Sequence, residues 1–133
     1  MVEMTLCGLA FLTLTLGAMD FGWGVYTYNF CSYSAQDAAR WASVRGSQSS
    51  SPAQVSDIQN FVQSEAVGLT AGLLTVTPCW SGSCPSSGFP PTGDNAPGSP
   101  VSVTVQYQIQ PLTALGIRRT LTVSSTAQFV ISN

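Results

Sequence analysis

Met4-Thr5-Leu6-Cys7-Gly8-Leu9-Ala10-Phe11-Leu12-Thr13-Leu14-Thr15-Leu16-Gly17-Ala18-Met19 is a run of sixteen residues without a charge, bracketed by Glu3 and Asp20. Wound as a helix it spans about 24 Å, a little less than the ~30 Å hydrocarbon core of a bilayer. Aromatic residues follow at once: Phe21, Trp23, Tyr26, Tyr28, Phe30 and Tyr33. Rings of this kind favour the membrane–water boundary, where one end stays apolar and the other wet. A cleavable secretory signal would need a basic stretch before the run and a small-x-small site after it. Here Glu3 precedes the run and no clear site of that kind follows. A core helix of a soluble protein would need a large partner domain to bury it, and 133 residues leave room for one small domain. The run therefore reads as a membrane segment that also packs against copies of itself.

Working outward from it, no proline occurs before Pro52, so the helix is expected to continue to about Val44. Ala35, Ala38, Ala39 and Ala42 recur at helical spacing and form a stripe of small residues for close packing against the rest of the chain. Gly46 then supplies a stop signal. Ser51-Pro52-Ala53-Gln54 resembles a helix start, with Ser51 as cap, Pro52 in the first turn and Gln54 placed for a capping box. Val55, Ile58, Val62, Ala66 and Leu69 then share one face, which predicts a short amphipathic helix over 52–69.

Strand patterns fill the remainder. Leu73 to Thr77 is a first candidate, ended by Pro78. Val101, Val103, Val105, Tyr107 and Ile109 alternate strictly with Ser102, Thr104, Gln106, Gln108 and Gln110, the signature of a half-buried strand stopped by Pro111. A last strand over 120–131 places Leu121, Val123, Ala127, Phe129 and Ile131 on one face. Between 85 and 100, Pro85, Pro90, Pro91, Pro97 and Pro100 with Gly88, Gly93 and Gly98 predict an irregular exposed loop. The expected fold is α+β: a long N-terminal apolar helix (1–45), then a head (46–133) in which a short helix packs on a small antiparallel sheet.

Composition narrows the functions. All four basic residues are Arg, Lys and His are absent, and the net charge is −2. There is no basic patch for phosphates, so nucleic acid is not an expected partner. Without His the chain lacks the commonest general base and metal ligand. No paired carboxylates, Ser-His arrangement or phosphate loop is present, and Gly93-Asp94-Asn95 reads as a turn rather than a calcium loop. No enzyme activity, cofactor or metal is expected. Trp80 and Phe89, placed in loops, are candidate contacts with a surface or a neighbour.

Cys79 and Cys84 flank a short W-S-G-S segment with Gly82 available for a turn, and in an exported protein this reads as a local disulfide. Two thiolates without His fall short of a zinc site. Cys7 and Cys31, on one helix, lie roughly 36 Å apart and cannot pair within a chain. They read as small buried apolar residues, with pairing between subunits left open.

Val2-Glu3-Met4 ahead of the apolar run, Met19-Asp20-Phe21-Gly22, Tyr26-Thr27-Tyr28-Asn29 and Ala38-Ala39-Arg40-Trp41-Ala42 together resemble TadE-like proteins. Val103-Thr104-Val105 with Tyr107, Pro111-Leu112-Thr113 and the Leu121-to-Ile131 strand continue the likeness. TadE-like proteins belong to the type IV pilin superfamily and are associated with tight-adherence pili. The resemblance implies export as a prepilin, cleavage by a prepilin peptidase, residence in the inner membrane, and incorporation into an extracellular filament with itself or other pilus components. Family members carry a glutamate at the fifth mature position. Here it is third, which implies a start trimmed near the mature one or an uncleaved variant.

Glu3 is the residue expected to direct assembly. A carboxylate in a membrane costs about 2.5–3.5 kcal/mol on the milder scales, a cost offset when it meets the terminal amine of a neighbouring subunit. The plain alternative is an acid favoured by the helix dipole. Leu6, Leu9, Phe11, Leu14 and Leu16 are expected to supply packing, and Gly8, Gly17, Gly22 and Gly24 close approach or flexibility. Three roles follow: a structural filament subunit, a minor pilin or anchored assembly factor, and an anchored module whose Pro-rich loop binds a surface ligand.

Overall fold

The computed structural model describes residues 2–91, 93–110 and 120–132. Helix α1 runs from Val2 to Ser43 and α2 from Val55 to Glu65. A single 3₁₀ turn at Ala71–Leu73 leads into β1 (Leu74–Trp80), followed by β2 (Pro100–Ile109) and β3 (Leu121–Val130). The strands form one antiparallel sheet in the order β1-β2-β3. Both helices pack on the same face of it, α2 over β1 and α1 over β2 and β3. The α+β architecture is the one the hydrophobic periodicities predict.

Only the C-terminal half of α1 belongs to the head. Cys31, Ala35, Ala38, Ala39 and Ala42 are fully buried against the sheet. Their small side chains let the helix backbone come close to β2, whose Val101, Val103 and Val105 are equally buried. Thr27 and Ser34 lie on the same stripe. Their hydroxyls donate to the carbonyls of Trp23 and Phe30, each at 2.8 Å, so these buried polar groups are satisfied within the helix itself. On the outer side the helix pair is joined by rings: Trp41 stacks on Phe61 at 5.6 Å, and the Arg45 guanidinium lies 3.8 Å from the Trp41 ring.

Alternation in β2 holds along its length, with Tyr107 and Ile109 also turned into the core. The opposite face of the sheet is hydroxyl- and amide-rich, and Thr104 and Thr126 share a 2.8 Å hydrogen bond across it. Pro111, expected to stop β2, lies outside the described residues.

Three expectations need correction. First, β1 does not end at Pro78 but continues to Trp80. It is an edge strand, where a missing N–H can face away from the ladder, and Pro78 still pairs with Val103. Trp80 therefore stands on the inward face beside Leu74, Val76 and Pro78, and it is fully buried rather than available to a surface. Second, α2 begins at Val55 with Gln54 as its cap, whose N–H donates to the Asp57 carboxylate at 3.2 Å. Ser51 and Pro52 lie ahead of the helix because the amides that follow are engaged elsewhere: Ala53 N–H with the Arg45 carbonyl and Val55 N–H with that of Gly88. The helix ends at Glu65, so Leu69 falls beyond it. Third, β3 is only partly covered: Ile131, just past its end, is buried, yet Leu121 is 63% exposed and Phe129 also faces solvent.

The proline-rich stretch after β1 is fastened at several points. Ser81 (φ 49°) and Gly82 (φ 90°) make a two-residue turn, closed by a reciprocal pair of 2.8 Å bonds between Trp80 and Ser83. Both left-handed φ values suit this turn type, and Gly82 adopts its own without a Cβ penalty. The turn brings Cys79 opposite Cys84, which form the expected disulfide. Further on, the Ser47 N–H donates to the Asn95 carbonyl, and Ser132 N–H to that of Ser43, so loop and C-terminus both close over the end of α1.

Candidate functional site

The feature that sets this molecule apart from an ordinary small α+β domain is the N-terminal half of α1. Helical hydrogen bonding continues without interruption from the head into this segment, through Gly24, Gly22, Gly17 and Gly8. The helix is long and apolar enough to cross a membrane, and none of its most apolar eighteen-residue stretch is buried by the rest of the chain. A core helix of a soluble protein would be mostly covered; this one is bare on every side. By the ~25 cal/mol per Å² of apolar surface removed from water, covering several leucines and a phenylalanine is worth several kcal/mol, so the segment favours an apolar environment outside its own domain.

Each expected packing residue lies on this segment. Leu6, Leu9, Phe11, Leu14 and Leu16 are all exposed, as are Met4, Leu12 and Met19, and they surround the helix instead of forming one stripe. The three threonines among them hide their polarity. Thr5 donates to the Val2 carbonyl, Thr13 to those of Leu9 and Ala10, and Thr15 to that of Phe11. Such back-bonding lets a hydroxyl sit in an apolar medium without an unpaired donor. At Gly8, Gly17, Gly22 and Gly24, an added Cβ would meet nothing within 4 Å, so a neighbouring chain has open access to the backbone there. Glu3 lies in the first turn of the helix, at the far end from the head.

The cysteines of α1 differ. Cys31 is buried, and burial pushes its thiol above the ordinary range. Cys7, expected to be buried as well, is exposed because no part of the head reaches so far along the rod. Among the described residues no group of His, Cys, Asp or Glu is arranged to hold a metal ion.

Where the rod enters the head, Trp23 and Tyr26 pack with ring centroids 5.6 Å apart, and the Tyr26 hydroxyl donates to the Val67 carbonyl at 2.8 Å. On the other side of α1 an apolar cleft of about 330 Å³ opens between Phe21, Gly24, Val25 and Tyr28 of the helix and Ile109, Leu121 and Val123 of the sheet, with Asp20 at its edge. Reading strand periodicity alone puts Leu121 and Val123 in the core; the cleft shows that the helix and sheet diverge here. No residue pattern in the sequence signals this divergence.

The family model for TadE-like proteins matches residues 1–40. The matched residues take in the whole bare rod and the first part of α1 that is buried in the head. No curated protein and no solved structure matches the chain.

Proposed function

We propose, from the match of residues 1–40 to the family model for TadE-like proteins, that the chain is a structural, pilin-like subunit that polymerises through α1 into an extracellular filament. One observation carries this reading: a continuous helix is half the core of a folded head and half an uncovered apolar rod. A rod of this kind is stable in two places, among lipid chains before assembly and among the rods of other copies afterwards. The head, with its Ser-, Thr- and Gln-rich sheet face, then stands outward in water.

Glu3 gives the assembly its register. Inside a bundle of apolar helices a lone carboxylate is strongly penalised, whereas one opposite a neighbour's terminal amine is compensated. Leu6, Leu9, Phe11, Leu14 and Leu16 supply the packing area, and Gly8 and Gly17 admit close approach. A prepilin peptidase and an inner-membrane stage before export follow from the TadE-like likeness. No step of this role requires catalysis.

Electron microscopy of material sheared from cells producing the chain, with antibody against the head, tests the proposal. Decorated filaments are expected along their length, and their loss with Glu3→Gln while the variant stays in the membrane fraction. Decoration confined to filament tips would replace a major subunit by a minor one. A chain absent from filaments altogether would overturn the reading.

A further inference from the structure

We infer that, before assembly, the base of the head is itself seated in the bilayer interface, with Val67 and Leu121 at the level of the lipid headgroups and upper acyl chains. This rests on the reading of α1 as a membrane helix, and it concerns a different part of the chain: the loop after α2 and the first residue of β3, which have no role in the rod.

The first ground is length. Met4 to Met19 covers about 24 Å, some 6 Å less than a ~30 Å hydrocarbon core, and twenty residues are needed to span it fully. Counting from Met4, the twentieth residue is Trp23. A bilayer accommodates a short span by thinning or by drawing in the residues that flank it. Those flanking residues are not free chain here, because α1 passes into the head as one unbroken helix. Whatever lies beside residues 20–24 is drawn in with them.

The second ground is what lies beside them. The Tyr26–Val67 hydrogen bond holds the loop after α2 against α1, and a tyrosine ring on a helix leans toward the N-terminus, bringing that contact down toward Trp23. Val67 is 76% exposed there. Thr70 and Gln110 border a hollow with Trp23, at the same height. Leu121, also exposed, lines the apolar cleft with Asp20, Phe21 and Gly24. Apolar side chains from the loop after α2 and from the start of β3 thus reach the level at which the apolar rod begins, and the exposed Phe21 and the Trp23–Tyr26 ring pair continue the band around the helix. Trp and Tyr concentrate at this depth in membrane proteins. Asp20 opposes deep entry, since a carboxylate resists the hydrocarbon, so residues 20–24 are drawn only as far as the boundary between acyl chains and headgroups, the rest of the mismatch being taken up by thinning.

The occupant proposed is therefore the lipid surface, argued from continuity with the rod. The test uses the full chain in phosphatidylcholine–phosphatidylglycerol vesicles, in a Cys7→Ser background. Spin labels are placed one at a time at Leu12→Cys, Val67→Cys, Leu121→Cys and Phe89→Cys, and depth is read from accessibility to oxygen against a water-soluble nickel chelate. Leu12 should be deep, Phe89 in water, and Val67 and Leu121 between them, with chelate accessibility at least threefold below that of Phe89. If Leu12 is deep but Val67 and Leu121 match Phe89, the head stands clear of the membrane and the inference is overturned while the rod's insertion survives. Spin–spin broadening between copies at Val67 or Leu121 would assign the base to a second chain and also overturn it. A Leu12 label in water would remove the membrane reading and this one with it.

Discussion

The Tyr26 hydroxyl and the Val67 carbonyl meet at 2.8 Å across forty-one positions of sequence. This bond fastens the loop after α2 to α1 at the height where the helix leaves the head. Tyr26→Phe removes the donor and keeps the ring, so the expected loss is about 0.5–1.5 kcal/mol. Amide exchange should quicken around residues 66–70 and stay unchanged in β2, which distinguishes local release from general destabilisation.

The Cys79–Cys84 bridge closes a small loop at the end of β1. Chain-entropy arguments give about 2 kcal/mol for a loop of this length. Replacing both cysteines by Ser should lower stability by roughly that amount in chemical denaturation, and reduction of the native chain should match it. Because Trp80 adjoins the bridge and is fully buried, its fluorescence should report the same transition.

Ala39 is fully buried on the part of α1 that packs on the sheet. Ala39→Leu is expected to cost about 1–3 kcal/mol through overpacking. The same change at Ala10, on the uncovered rod, should leave head stability unaltered. Thermal unfolding of the two variants in detergent checks the contrast.

Glu65 has its carboxyl raised above the ordinary 4.5, first by burial and then by the negative charge of Asp37. Its protonated form is the one the folded head prefers. The associated stability is thus complete below the unfolded value and is lost as pH rises through the raised folded value. Acidification from neutral pH to about 4.5 should therefore raise the melting temperature slightly through this group. Glu65→Gln should be more stable than wild type at neutral pH and should lack that increment. Glu65 remains largely open to solvent, so the desolvation is partial, the effect is small, and salt should shrink the part due to Asp37.

Much of this architecture was legible in the residues because period and burial coincide. The alternation from Val101 to Ile109 and the stripe Ala35–Ala42 each allow one packing, and both lie in the core. Boundaries were less legible where tertiary hydrogen bonds compete with local signals. Ser51-Pro52 has the chemistry of a helix start, yet Ala53 and Val55 give their amides to Arg45 and Gly88, and the helix begins later. Pro78 reads as a strand stop only if its neighbours need its N–H, and on an edge they do not. The uncovered rod was readable from its lack of charge, whereas the cleft beside Leu121 was not, because it arises from the angle between α1 and β3 and no single residue encodes an angle.

The account depends on the rod finding apolar surroundings outside its own domain, and the fate of the intact chain during alkaline extraction of membranes, followed by sizing without detergent, tests that most directly. The wild-type chain should stay with the membrane pellet and leave it only with detergent, while Leu9→Asp combined with Leu12→Asp should release a folded head into the supernatant. An intact wild-type chain that leaves the membrane as a detergent-free monomer with its rod protected from hydrogen exchange would contradict the account.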